Sequence, residues 1–226
     1  MDYSKIINSL YLVTSDLAVI CLTITVSLSL YHYKRLNIPL QRLLLFLIWN
    51  LFIEIIARVL TSYKISNLPL LHIYTIGEII FYSWFYKSLL IKHKTFQKNF
   101  WYLIIAGVSL LILNSIFFQI GGDYNSLAKT LVQVIIIGYA ILYFYNLTEE
   151  QLHAHKFGKS LRLINSAILI YYSGSLFIFM CGQMLRSYPE WIKPFWAFNA
   201  ALNLFFQLLI LWGIWIIVYK KTPSSL

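Results

Sequence analysis

Charged side chains are scarce in this chain. Only 12% of its residues are Asp, Glu, Lys or Arg, about half the share usual in a soluble domain. A chain 60% hydrophobic cannot hide that much apolar surface from water. Acids are scarcest, 8 against 18 Lys and Arg, for a net charge of +10. In a soluble protein that balance would point to nucleic acid. Here the basic residues lie mostly between apolar runs, so they read as loop charges facing anionic headgroups, and no nucleic-acid partner is expected. The two cysteines, Cys21 and Cys181, each sit inside an apolar run. They form no CxxC pair and no metal spacing, which excludes a disulfide framework and a zinc site.

Familiar chemical motifs are also missing. There is no GxSxG elbow, P-loop or HExxH. The last apolar run has no lysine before Lys220, so a retinal Schiff base has no anchor. The chain is therefore not expected to be an enzyme or to hold a cofactor or metal. The opening Met-Asp-Tyr-Ser-Lys lacks a basic start, and no small-residue cleavage site follows the first apolar run. That run is expected to be a retained helix.

What is present is apolar length. A helix needs about 20 mostly apolar residues to cross the hydrocarbon. Seven windows qualify, over about 14–30, 39–61, 69–91, 100–119, 126–144, 161–185 and 194–219. Pro39, Pro69 and Pro194 open three of them, which suits a first helical turn. Gly121-Gly122-Asp123 marks a turn between the fourth and fifth. Short loops predict antiparallel neighbours. The expected fold is one all-α integral membrane domain, a seven-transmembrane-helix bundle without internal repeats.

Basic residues orient the bundle. Lys34, Arg35, Arg42, Lys87, Lys92, Lys94, Lys98, Lys156, Lys159, Arg162, Lys220 and Lys221 fall on one side, twelve of the 18 Lys and Arg. Lys5, Arg58, Lys64, Lys129, Arg186 and Lys193 fall on the other. Cytoplasmic loops carry the Lys/Arg excess, so the N-terminus is expected outside and the C-terminus inside.

Polar residues within the apolar runs are the candidates for function, because ionisable groups in hydrocarbon are costly and usually face a protein interior. Asn50, Glu54 and Arg58 recur at every fourth position and share one helix face, with Glu54 able to pair with Arg58. Thr75, Glu78, Tyr82 and Tyr86 share a face of the third run. Glu78 has no basic residue a turn away. It either pairs across helices, with Arg58 as a candidate, or is kept protonated by desolvation. His72 lies nearer the outer boundary, where an interfacial histidine is the simpler reading. Asn199, Asn203 and Gln207 line one face of the last run, and Asn114, Gln133 and Gln183 add single amides. Interhelical hydrogen bonding is the simpler role for such amides, worth about 0.6–2 kcal/mol each. His153 and His155 would point to opposite sides of a helix, so their loop reads as solvated.

Most of these groups fall in the outer half, while the inner half is mainly apolar or aromatic. That distribution predicts a pocket open to the outside rather than a continuous polar path. Its candidate ligand-binding residues are Glu54, Arg58, His72, Glu78, Asn199 and Asn203.

Three stretches carry a resemblance. They are His72-Ile-Tyr-Thr-Ile-Gly-Glu78, Leu163 to Phe179 (Leu-Ile-Asn-Ser-Ala-Ile-Leu-Ile-Tyr-Tyr-Ser-Gly-Ser-Leu-Phe-Ile-Phe) and Phe195-Trp-Ala-Phe-Asn-Ala-Ala-Leu-Asn-Leu204. Together they resemble a group of seven-helix integral membrane proteins from Bacteroidota that has no assigned activity. The resemblance implies the fold and a multipass location in the inner (plasma) membrane. It also implies an association with sensor kinases, and it carries over no site residue.

The first functional expectation is a sensor or receptor-like subunit that binds a small ligand in the outer pocket. It would signal through a sensor kinase or other partner at the inner basic loops, because it has no output domain of its own. The alternatives are a small proton-coupled transporter titrating at Glu78 or Glu54, a scaffold or assembly factor, and a lipid-acting membrane enzyme. The lipid bilayer is the one partner common to all four, and the oligomeric state is not legible.

Overall fold

A computed structural model describes residues 3–118, 125–147, 156–181 and 188–219. These residues form seven long helices and no strand. They are α1 (Tyr3–Tyr31), α2 (Ile38–Ser62), α3 (Leu68–Leu89), α4 (Lys94–Leu113), α5 (Ser126–Tyr145), α6 (Lys156–Met180) and α7 (Pro189–Tyr219). A 3-10 turn, Tyr33–Arg35, follows α1, and a π turn, Asn114–Phe118, ends α4. The Gly121–Asp123 turn, Gln183 and the His153–His155 loop lie outside the described residues.

Local chemistry sets several helix starts. Asn37 caps α2, its side-chain oxygen accepting from the Leu40 amide at 3.2 Å, and Pro39 sits in the first turn. Pro69 likewise sits in the first turn of α3, after Asn67. Several helices begin earlier than the hydropathy windows. α1 starts at Tyr3 instead of 14, α4 at Lys94 instead of 100, and α6 at Lys156 instead of 161. α7 starts at Pro189, which leaves Pro194 inside the helix instead of opening it. The windows detect hydrocarbon-crossing length, whereas a helix runs on into the headgroup region wherever its polar residues keep their backbone bonds.

Six helices pack as a closed ring in the order α1, α2, α3, α5, α6, α7, with α7 returning to α1. α4 packs on α3 from outside the ring. Contacts at two depths fix the directions. Arg42 meets Trp84 and Trp49 meets Phe81 between α2 and α3. Gln133 meets Ser175 and Ala140 meets Asn165 between α5 and α6, and Ser160 meets Gly213 and Tyr171 meets Phe206 between α6 and α7. These pairs run antiparallel, as do α1 and α2, joined by a short loop and by Asp16 and Arg58. The Arg35 guanidinium donates to the Val218 carbonyl at 3.3 Å, placing the last turns of α1 and α7 side by side. The N-terminal face of the bundle, where α1 starts, therefore also holds the starts of α3, α5 and α7.

Six helices are long and apolar enough to cross a membrane, and α3 is the exception. α3 carries His72, Thr75, Glu78, Tyr82, Ser83 and Tyr86, and all of these are buried. Its neighbours shield it, so it does not need an apolar outer face of its own. The core cluster reaches to the C-terminal face. There Leu40, Leu43, Leu44 and Leu47 of α2 belong to the same cluster as Phe85 and Tyr86 of α3, Ile164 and Ile168 of α6, and Ile210 and Ile214 of α7. On α3, Gly77 makes room for α2. A Cβ there would lie 2.0 Å from the Trp49 indole nitrogen.

Candidate functional site

The core is interrupted toward the N-terminal face by a cavity of about 520 Å³. Its rim includes Ile7 and Asn8 of α1, Asn67 and Leu68 at the start of α3, and Ile192 and Lys193 at the start of α7. Its walls carry Tyr11, Asn50, Glu54, Tyr74, Trp196 and Asn203. Its deepest residues are Phe46, Lys129, Tyr171, Tyr172 and Phe206. A concavity lined by aliphatic and aromatic side chains with a few convergent polar groups is the usual form of a small-molecule site. The early start of α1 is what supplies Asn8 and Tyr11 to it.

Behind the floor sits a buried ion pair. The Lys129 ammonium donates to Glu78 Oε2, and Lys129 and Glu78 are 1% and 0% exposed. The Tyr172 hydroxyl donates to Glu78 Oε1 at 2.7 Å. The ammonium also lies over the Tyr74 ring at 4.5 Å and the Phe179 ring at 5.2 Å. Glu78 therefore pairs across helices, one of the two alternatives the sequence left open, but with Lys129 rather than Arg58. Lys129 belongs to the interior of the bundle and not, as its position in the sequence implied, to the outer loop charges. The two groups meet because α3 and α5 run parallel and adjacent in the ring.

Arg58 serves a different contact. It donates to Asp16 at 2.6 Å, to Glu54 at 3.0 Å and to Ser15 at 3.3 Å, tying α2 to α1 beside the cavity wall. These side chains are only partly covered by protein: Arg58 is 42% exposed and Asp16 60%. Of these residues only Glu54 lines the cavity, and its carboxylate is held by Arg58.

The six residues proposed from sequence do not all converge. Glu54 and Asn203 line the cavity, Glu78 stands just behind its floor, and Arg58 reaches it through Glu54. His72 is not part of the lining. It faces α4, with Nδ1 2.7 Å from the Ser115 hydroxyl. Asn199 is not part of the lining either, and its buried Oδ1 has no hydrogen-bond partner among the described residues. Asn203 is also engaged, accepting from Gln207 at 3.4 Å. Sequence reasoning missed Lys129 and the tyrosines Tyr11, Tyr74, Tyr171 and Tyr172. For Lys129 there was a signal. With Val132, Gln133, Ile136 and Ala140 it forms the one buried stripe of α5.

Among the described residues no group of His, Cys, Asp and Glu is arranged to hold a metal ion. The arrangement suits non-covalent binding. It offers an aromatic wall, amide side chains on three helices, and an ammonium held in place by a carboxylate. Compared with known proteins, the chain matches no family model, no curated protein and no solved structure, so its functional reading rests on this cavity and the ion pair at its floor.

Proposed function

We propose that this chain is a seven-helix integral membrane protein that receives a small ligand in the cavity at its N-terminal face and acts as a sensor or receptor-like subunit. The observation that carries this reading is the one-sided form of the cavity. It opens among Asn8, Asn67 and Lys193 and ends on Phe46, Lys129, Tyr172 and Phe206. The packed core of α2, α3, α6 and α7 lies beyond. A receptor needs access from one side, whereas a carrier needs it from both in turn.

The charge distribution supports an outward-facing cavity. Lys34, Arg35, Lys92, Lys94, Lys98 and Lys159 are exposed at the C-terminal face, and among the described residues that face carries no Asp or Glu. The excess of Lys and Arg marks the cytoplasmic side, with the N-terminus outside. The same basic surface is where a kinase or other signalling partner would read a change in helix packing. The resemblance to the Bacteroidota group agrees with such a partner and with the inner membrane. Extraction in native bilayer patches followed by native mass spectrometry tests the reading. A co-purifying signalling protein is expected. A chain that emerges alone and moves a solute across proteoliposomes would replace the receptor by a carrier.

That carrier is the second reading, and one observation favours it. Polar contacts continue past the floor: Ser83 with Tyr139 at 3.3 Å, and the Tyr86 hydroxyl donating to Asn165 at 2.6 Å. A proton-coupled carrier would show solute flux that Glu78→Gln abolishes, and flux indifferent to that change would remove this reading.

A further inference from the structure

The floor of the cavity points to the chemistry of its occupant. Lys129 lines the cavity although it is 1% exposed. An ammonium has three N–H donors and no acceptor. Among the described residues Glu78 is its one hydrogen-bond acceptor. The remaining surroundings are ring faces, those of Tyr74 at 4.5 Å, Phe179 at 5.2 Å and Tyr172 at 6.0 Å. Ring faces attract a cation but do not replace strong acceptors, and donors kept from water without an acceptor are costly. The carboxylate is better supplied, with Lys129 on one oxygen and Tyr172 on the other. The pair is therefore unbalanced, and the member short of partners is the one at the cavity.

We propose that the cavity takes a small, water-borne amphiphilic carboxylate, whose oxygens accept the N–H bonds of Lys129 that Glu78 leaves over. This rests on reading the cavity as a ligand site. The apolar body of the ligand lies against Tyr171, Trp196 and Phe206. Asn8, Asn67 and the exposed Lys193 form a polar rim open to water, and Lys193 draws anions to it.

Two carboxylates sharing one ammonium would leave a net negative charge in a desolvated site. One proton taken from water onto Glu78 removes it. Glu78 then becomes a neutral acid that still accepts from Tyr172, and the ligand keeps Lys129 as its counter-ion. Binding is thus accompanied by the uptake of one proton. The groups facing Glu78 are Tyr74 and Tyr82 on its own helix, Lys129 on α5, and Tyr171 and Tyr172 on α6. α2 contributes Glu54 at the cavity wall, α7 contributes Lys193 at the rim, and His72 is turned to Ser115 of the π turn after α4.

The test is calorimetry on the full chain in phosphatidylcholine nanodiscs, comparing 4-phenylbutyrate with the uncharged 4-phenylbutan-1-ol. The carboxylate is expected to bind roughly ten- to a hundredfold tighter, the size of a charge-assisted hydrogen bond. Titration in buffers of different ionisation enthalpy should read about one proton taken up per ligand, and about none in Glu78→Gln. Lys129→Met should lose the preference for the acid while keeping the affinity for the alcohol. If that variant does not fold, the neutral pair Glu78→Gln/Lys129→Met takes its place. Equal binding of acid and alcohol overturns the inference, as does a preference that survives the loss of Lys129. Binding of neither probe to the native chain overturns the ligand-site reading itself. Laurate delivered from the bilayer is the second carboxylate, and a stronger response to it than to phenylbutyrate overturns the water-borne source.

Discussion

Lys129 and Glu78 show what the interior of a helical bundle demands of single residues. Removing one member of a buried ion pair leaves the other charged and unpartnered, at a cost of about 3–5 kcal/mol. Glu78→Gln and Lys129→Met are each expected to destabilise by that order. The double variant should cost clearly less than their sum, because no charge is then left behind. Thermal unfolding of the four proteins in one detergent reads this cycle, and strictly additive losses would show that the two groups are not coupled. Glu78 was legible in the sequence because a carboxylate in the middle of an apolar run has few explanations. Lys129 was not, because a lysine near the start of a run ordinarily reaches out to the headgroups. Only the stripe it shares with Gln133 hints that it turns inward, and a partner 51 residues away has no spacing to reveal it.

At the scale of the element, α3 is the helix on which the site depends. It supplies Tyr74 to the cavity and Glu78 behind it, and it touches α2, α4 and α5. Its approach to α2 runs through Gly77, where any side chain meets the Trp49 indole. Gly77→Ala should therefore lower stability by about 1–3 kcal/mol through overpacking. Trp49→Leu in the same chain should recover part of that loss, since it removes the ring in the way. A Gly77→Ala variant that melts with the native protein would show that α2 and α3 can separate freely. Helix positions were readable because hydropathy follows crossing length, and α2, α3 and α5 lie within a residue or two of their windows. Helix starts were less so. The opening turns of α1 and α4 mix polar with apolar residues, which blurs where the helix begins, although those of α1 line the cavity.

For the whole molecule, the ring of six helices with α4 outside it decides which polar residues meet. The proposed orientation is tested with single cysteines, after Cys21 and Cys181, both free thiols, are replaced by alanine. Cysteines at Asn8, Asn67 or Lys193 should react with an impermeant maleimide in intact cells. Cysteines at Lys34 or Lys94 should react only after permeabilisation. The reverse pattern would turn the cavity inward and end the receptor reading.

The sequence by itself determined the all-helical architecture and most helix positions, and it singled out Glu54, Glu78 and Asn203 as polar groups inside apolar runs. Apolar length, proline placement and charge are local properties, and they survive without knowledge of neighbours. Only the tertiary structure decided which of those groups share a cavity. His72 faces α4, Asn199 lies outside the lining, and Arg58 is drawn to Asp16 of α1. Helix order and rotation about each axis set those outcomes. Both arise from side-chain packing between helices distant in sequence, and a periodic pattern along one helix does not contain them.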